Sequence, residues 1–143
     1  MRVIVTGGAG FLGRLLIQGL QEEGIEDIVA IDVVTAEIPG CQVLQSDLAH
    51  DQILAGLLEE SPCTIFHLAS VVSAGAEADW EHAVDQNIGG MLQLLEACRQ
   101  SNHFHKVVFA STLAVFGGDT AGGEVGEFIK QTHPGTYGKT TQI

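Results

Sequence analysis

Thr6-Gly7-Gly8-Ala9-Gly10-Phe11-Leu12-Gly13 is the stretch of this sequence with the most explicit chemistry. Glycines that follow directly on the β-branched run Val3-Ile4-Val5 let backbone N–H groups approach a phosphate without interference from Cβ atoms, and a helix opening at the turn directs its unpaired N–H groups at the same point. That order suits the pyrophosphate of a dinucleotide. The glycines parse as Gly8-x-Gly10-x-x-Gly13 or as Gly7-x-x-Gly10-x-x-Gly13, and both put Gly10 at the close approach and Gly13 where helix packs on strand. Asp32 ends the second apolar run roughly 20 residues after Gly13, the offset at which a carboxylate hydrogen-bonds the adenosine ribose 2′-hydroxyl and repels a 2′-phosphate. It favours NAD over NADP. Asp47 either caps the next helix or meets the adenine amino group. The Ser111 and Thr112 hydroxyls emerge at the carboxyl end of the last apolar run, where open α/β sheets bind ligands. His67 stands inside an apolar run and reads as a packed, hydrogen-bonded histidine instead of a base. Asn87, polar on an otherwise apolar seam, either hydrogen-bonds a neighbouring strand or frames the cofactor site.

These groups need alternating strands and helices to position them. Residues 2–6, 27–32, 42–45, 63–69 and 106–110 read as strands, and the first helix, with Leu12, Leu16 and Leu20 on one face, stops near Gly24. Ile53, Leu54, Leu57 and Leu58 give a second helix, closed by Ser61-Pro62 because a residue before proline leaves the α region. Val84, Ile88, Met91, Leu95 and Cys98 keep helical spacing over 79–102, with a bend at Gly89-Gly90. The alternation with right-handed crossovers predicts an α/β protein, a Rossmann-type doubly wound parallel sheet of five strands ordered 3-2-1-4-5. Roughly 25 residues of loop precede Tyr137, longer than a compact domain holds without a function, with Phe116, Phe128 and Ile129 tucking part of it down.

With 143 residues and 45% hydrophobic content, the chain suits one folded domain. Six Lys+Arg against 18 Asp+Glu give a formal charge of −12, which argues against a nucleic-acid or anionic-membrane partner and requires local cations for any anionic substrate. Cys41, Cys63 and Cys98 are odd in number and irregularly spaced, which predicts reduced, mostly buried thiols and no metal site. The first strand begins at residue 2 and no apolar run reaches transmembrane length, so a cytoplasmic protein is expected.

Taken in order, Thr6 to Gly13, His67-Leu68-Ala69-Ser70, Asn87-Ile88-Gly89-Gly90-Met91, Ser111-Thr112-Leu113-Ala114-Val115-Phe116-Gly117 and Tyr137-Gly138 resemble the extended short-chain dehydrogenase/reductases, the group of the nucleotide-sugar epimerases and dehydratases. The resemblance spans the chain. Within that group, residues 71–79 and Val115-Phe116-Gly117-Gly118 are most similar to NAD-dependent oxidisers of a four-carbon sugar acid. The resemblance implies NAD as cofactor and hydride transfer from a hydroxyl of a sugar acid or nucleotide sugar. Gly7, Gly10, Phe11 and Leu12 would hold the pyrophosphate, Asp32 the ribose, and Asp47 and Leu48 the adenine. Leu68, Ala69 and Ser70 would line the nicotinamide half, with Asn87 nearby as a structural or water-holding residue and Ser111 beside the nicotinamide. Thr112 would orient the substrate hydroxyl and Tyr137 would remove its proton. It also implies a homodimer paired through the 79–102 helix and the helix that begins at the tyrosine.

Two departures from the family pattern qualify these roles. A free tyrosine titrates near pH 10 and needs a neighbouring cation to act as a base at neutral pH; the family supplies a lysine four residues after the tyrosine, where this sequence has Thr141. Lys139 lies about 200° round a helix from Tyr137. The sequence also stops at Ile143, before the sixth strand and substrate-binding half that the resemblance implies. The reading is thus an NAD-binding Rossmann domain over 1–143, incomplete at its C-terminus, with a catalytically inert NAD-binding module or fragment as the alternative.

Overall fold

The β-branched run at the start of the chain becomes the middle of a sheet. In the computed structural model, which describes residues 1–116 and 135–141, β1 (Arg2–Thr6) lies between β2 (Ile28–Asp32) and β4 (Cys63–His67), with β3 (Gln42–Gln45) and β5 (Lys106–Phe109) at the edges. The order is β3-β2-β1-β4-β5 and every pairing is parallel, as the strand alternation predicts. Val3, Ile4 and Val5 are at most 1% exposed. A central parallel strand is covered on both faces, which is why its sequence is continuously apolar and does not alternate. Successive side chains still take opposite faces. Val3 and Val5 join Ile17, Ile28 and Ala30 in one core cluster, whereas Ile4 joins Val29, Ile31, Ile65, Leu54, Leu58, Met91 and Leu94 in the other.

Two compact units divide the chain, one comprising Met1–Ala69 and Gly89–Ala110, the other Ser70–Ile88 and Ser111–Ile143. The first holds the sheet, α1 (Phe11–Glu22), α2 (Ile53–Glu60) and α5 (Gly90–Gln100), with α2 packed on α5. Helix α1 ends as its glycine signal predicts: Gly24 has φ +80 and Ile25 N–H reaches back to Leu20 O at 3.0 Å. Its packing face differs from the expected one. Gly13, Leu16, Ile17 and Leu20 face the core, and Leu12 is 62% exposed, because Gly13 presses on the turn and leaves Leu12 beside it. Of the cysteines, all free, Cys63 is buried while Cys41 and Cys98 are only half-buried; partial desolvation raises all three thiol pKa values.

The second unit contains α3 (Ser73–Ala78), α4 (Trp80–Val84), a 3-10 turn (Leu113–Phe116) and α6 (Thr136–Thr140), and α6 packs against the other three. Asp79 caps α4, its Oδ1 accepting the His82 N–H at 3.0 Å. Residues 85–89 take π geometry in place of the expected bend at Gly89-Gly90. The expected buried seam also shifts: Ala83, Asn87, Met91 and Leu94 are buried and Leu95 is 44% exposed. Asn87 tolerates burial because its whole amide is hydrogen-bonded, which the spacing of apolar residues does not encode. Phe128 and Ile129 lie outside the described residues. No described helix is long and apolar enough to cross a membrane.

His67 closes β4 as a packed residue. It is 2% exposed, its Nδ1 lies 2.8 Å from Thr6 Oγ1, and its ring stacks on Phe109 with centroids 6.0 Å apart. Burial pushes its pKa down to about 4. Since the folded value lies below the unfolded value near 6.5, the neutral ring's contribution is complete above pH 6.5 and is lost as the pH falls towards 4. Ring NMR signals should therefore show a His67 midpoint near pH 4, accompanied by a loss of roughly 3 kcal/mol of stability between pH 7 and pH 4 from this group. A midpoint at 6.5 would show that the ring is open to water.

Candidate functional site

The glycine turn is built by backbone-on-backbone contact. Gly7 has φ +70, and a Cβ there would fall 2.7 Å from Ala69 N and 2.8 Å from Leu68 C. Its N–H donates to Ile31 O at 2.8 Å. Helix α1 then lands on the turn through Gly13, where a Cβ would lie 2.3 Å from Gly7 O and 2.6 Å from Gly8 Cα. Gly10 differs from both. It is exposed, has an ordinary φ of −71, and among the described residues its Cβ would meet only Gly7 O, at 3.2 Å. Protein packing accounts for the glycines at 7 and 13. Gly10 is itself the N-cap of α1, and there a Cβ would crowd a single described atom instead of the several met at 7 and 13. The first N–H groups of a helix have no intrahelical acceptor, so Phe11 and Leu12 present free donors and the positive end of the helix dipole there. Their side chains, 78% and 62% exposed, flank the opening. Donors of this kind are what a pyrophosphate requires.

Asp32 stands at the end of β2 beside the cradle. Its Oδ2 accepts the Ala9 N–H at 3.0 Å and its Oδ1 the Val34 N–H at 3.2 Å. A carboxylate oxygen has more than one acceptor position, so either can still receive a ribose hydroxyl. Asp47 Oδ1 accepts the Ala49 N–H at 3.0 Å, and its Oδ2 is 3.3 Å from His50 Nδ1. It organises the turn after β3 and does not cap α2, which begins at Ile53. Leu48 is 6% exposed in the core with Leu54 and Met91, so its side chain is not available to a base. Leu68 and Ala69 continue β4 over Gly7: Leu68 N–H donates to Thr6 O at 3.1 Å and Ala69 N–H to Thr6 Oγ1 at 3.3 Å. Arg14, which the glycine pattern does not single out, donates from Nε to Ala9 O at 2.9 Å and brings a cation to the turn.

In the second unit Asn87 is the hub. Its Oδ1 accepts the Val71 N–H at 2.7 Å and the Ser70 hydroxyl at 3.1 Å, while its Nδ2 donates to Val71 O at 3.1 Å and to Thr140 Oγ1 at 2.9 Å. Asn87 is thereby satisfied within the protein as a structural residue. Thr112, whose Oγ1 accepts the Ala114 N–H at 3.2 Å, and exposed Ser111 precede the 3-10 turn that packs on α6. Tyr137 is half-buried on α6. Thr141 is 4% exposed, and its hydroxyl donates to Tyr137 O at 2.8 Å. Lys139 is exposed on the same helical turn. Two further residues escape sequence reading because their partners are far along the chain: Thr140, bonded to Asn87, and Glu77, bonded to Thr136.

Residues 3–141 match the family described as the NAD dependent epimerase/dehydratase family. D-erythronate dehydrogenase of Haemophilus influenzae is 36% identical over 126 residues, a match covering 83% of this chain and 40% of that protein. The D-erythronate dehydrogenase of Cupriavidus necator is 35% identical over 131 residues, covering 82% and 40%. Among solved structures, the UDP-glucose 4-epimerase of Thermus thermophilus, in complex with NAD, superposes with a TM-score of 0.86 at 29% identity, covering 99% of this chain and 47% of that one. The chain spans about 40% of the length of the curated relatives it matches.

The contrast among the glycines is testable. Gly13→Ala should lower stability by at least roughly 1–3 kcal/mol through overpacking, seen as a reduced urea midpoint. Gly10→Ala should keep the midpoint nearly unchanged and weaken dinucleotide binding about tenfold or more, a loss of at least ~1.4 kcal/mol, measured by calorimetry. Unaltered dinucleotide affinity in Gly10→Ala would remove the cradle reading.

Proposed function

Because this chain belongs to the NAD dependent epimerase/dehydratase family, we propose that residues 1–143 form the NAD-binding domain of an oxidoreductase acting on a hydroxyl of a sugar acid of the D-erythronate kind. The observation that carries the cofactor reading is the exposed Gly10 before the first N–H groups of α1, with Asp32 bonded to the same turn. Phe11 and Leu12 N–H groups would receive the pyrophosphate, and Arg14 would add positive charge in a chain of net charge −12. Asp32 would accept a ribose hydroxyl and exclude a 2′-phosphate. Asp47 and the Leu48 backbone would meet the adenine, while Leu68, Ala69, Ser70 and Ser111 would line the nicotinamide half. NAD, when bound, supplies the hydride acceptor. Thr112 would hold the substrate hydroxyl, and the Tyr137 phenolate would take its proton. The substrate class draws support from the two D-erythronate dehydrogenases; a nucleotide sugar is the class named for the Thermus relative.

A second reading has its own observation. Thr141 occupies the family's lysine position and directs its hydroxyl to Tyr137 O, so it offers no cation to a phenolate. That favours a domain that binds NAD without turnover. Homodimer formation is supported by Leu92 and Leu95, 58% and 44% exposed on α5.

Titration with NAD and NADP, followed by an assay of NADH formation with D-erythronate, separates these readings. Tight NAD binding with NADH formation supports the oxidoreductase; binding without NADH supports the inert domain; binding of neither dinucleotide overturns both. Thr141→Lys should raise turnover, and Tyr137→Phe should abolish it. Turnover unchanged in Tyr137→Phe would refute its role as base. Sedimentation equilibrium should give a dimer, and a monomer at all concentrations would remove that assignment.

A further inference from the structure

Tyr137 sits on a helix too short to stand by itself. α6 has 5 residues and no side-chain hydrogen bond from its N-cap, Gly135, whereas isolated helices shorter than ~12–15 residues are marginal in water. Its geometry must be imposed from outside, and the structure shows a fastening at each end. At the C-terminal end, Asn87 Nδ2 donates to Thr140 Oγ1 at 2.9 Å, and that hydroxyl donates to Tyr137 O at 3.2 Å. At the N-terminal end, the Glu77 carboxylate of α3 accepts the Thr136 N–H on Oε1 and the Thr136 hydroxyl on Oε2, the latter at 3.2 Å. Gly135 makes room for this: a Cβ there would stand 2.7 Å from Glu77 Oε1.

We infer that Glu77 is a positioning residue for Tyr137, a side-chain cap supplied by α3 that fixes the first turn of α6 and with it the phenol. The functional half of this inference rests on the reading of Tyr137 as the base. A first-turn N–H has no partner inside its helix, so the carboxylate supplies the acceptor that Gly135 lacks. Thr136, held by both its backbone and its hydroxyl, immediately precedes Tyr137. The rigidity matters because a base must come within about 2.6–3.2 Å of the proton it takes, and a displacement of about 1 Å is enough to reduce a rate about a hundredfold. Reach, not charge, is the decisive property. Glutamine keeps the length and an acceptor oxygen for the Thr136 N–H, while aspartate keeps the charge but falls one methylene short.

The test uses the chain without NAD or substrate, so its result is independent of whether Tyr137 proves to be a base. One tyrosine and one tryptophan give, in ring-labelled protein, one tyrosine signal and one indole signal, the latter from Trp80 of α4 as an internal reference. Glu77→Ala and Glu77→Asp should displace or broaden the Tyr137 signal by more than its linewidth and leave Trp80 and the melting temperature nearly unchanged. Glu77→Gln should return the Tyr137 signal to its original position. A Tyr137 signal unmoved in Glu77→Asp would overturn the inference, as would a displacement in Glu77→Gln equal to that in Glu77→Asp. If Glu77→Ala does not fold, the Asp and Gln pair decides.

Discussion

The sheet unit depends on how closely three pieces of backbone meet at the carboxyl end of β1. Gly7 leaves the strand against Leu68-Ala69, and Gly13 brings α1 down onto Gly7 O, at separations that no Cβ could occupy. Because the contacts are backbone to backbone, a neighbouring side chain cannot rotate away to relieve them, and the positive φ of Gly7 closes the option of a larger residue there. This packing fixes where α1 begins. It therefore fixes where the unpaired N–H groups point, which is the property a phosphate uses.

The cradle answers an electrostatic difficulty set by composition. At a net charge of −12 the chain repels anions at long range, yet the cradle faces them with helix-terminal N–H groups and the Arg14 guanidinium instead of a lysine-rich pocket. Asp32 adds negative charge beside it, tied to Ala9 N–H. Proximity reconciles the two: N–H dipoles act over the first turn of the helix, where a bound phosphate would lie, while a carboxylate at the end of β2 would face the ribose on the proposed reading. The buried neutral His67 behind Thr6 adds no charge of its own.

Among its described residues the second unit is fastened by an amide, a carboxylate and hydroxyls. Asn87 spends both ends of its amide on Ser70, Val71 and Thr140, and Glu77 holds Thr136. Such bonds specify geometry sharply, since a buried amide left without partners is costly. They also leave α6 dependent on residues outside itself. The π turn at residues 85–89 is where Asn87 is displayed, and irregular helical turns of this kind commonly accompany functional sites.

What the sequence determined by itself was local. The strands follow from short continuous apolar runs, the helices from apolar residues recurring about every 3.6 positions, and the glycine turn and the αL stop at Gly24 from φ/ψ preference; with right-handed crossovers these made the strand order and the placement of Gly10 and Asp32 legible in the chain alone. The same reasoning misassigned Leu12 and Leu95 to the buried faces, and it left Asn87 between bonding a neighbouring strand and framing the cofactor site. Only the tertiary structure decided those points, together with the bonds of Asn87 to Thr140 and of Glu77 to Thr136, separated by 53 and 59 positions. Periodicity describes what one segment presents to its surroundings; which donor meets which acceptor is set only when distant segments close in space, and that closure leaves no repeating mark in the chain.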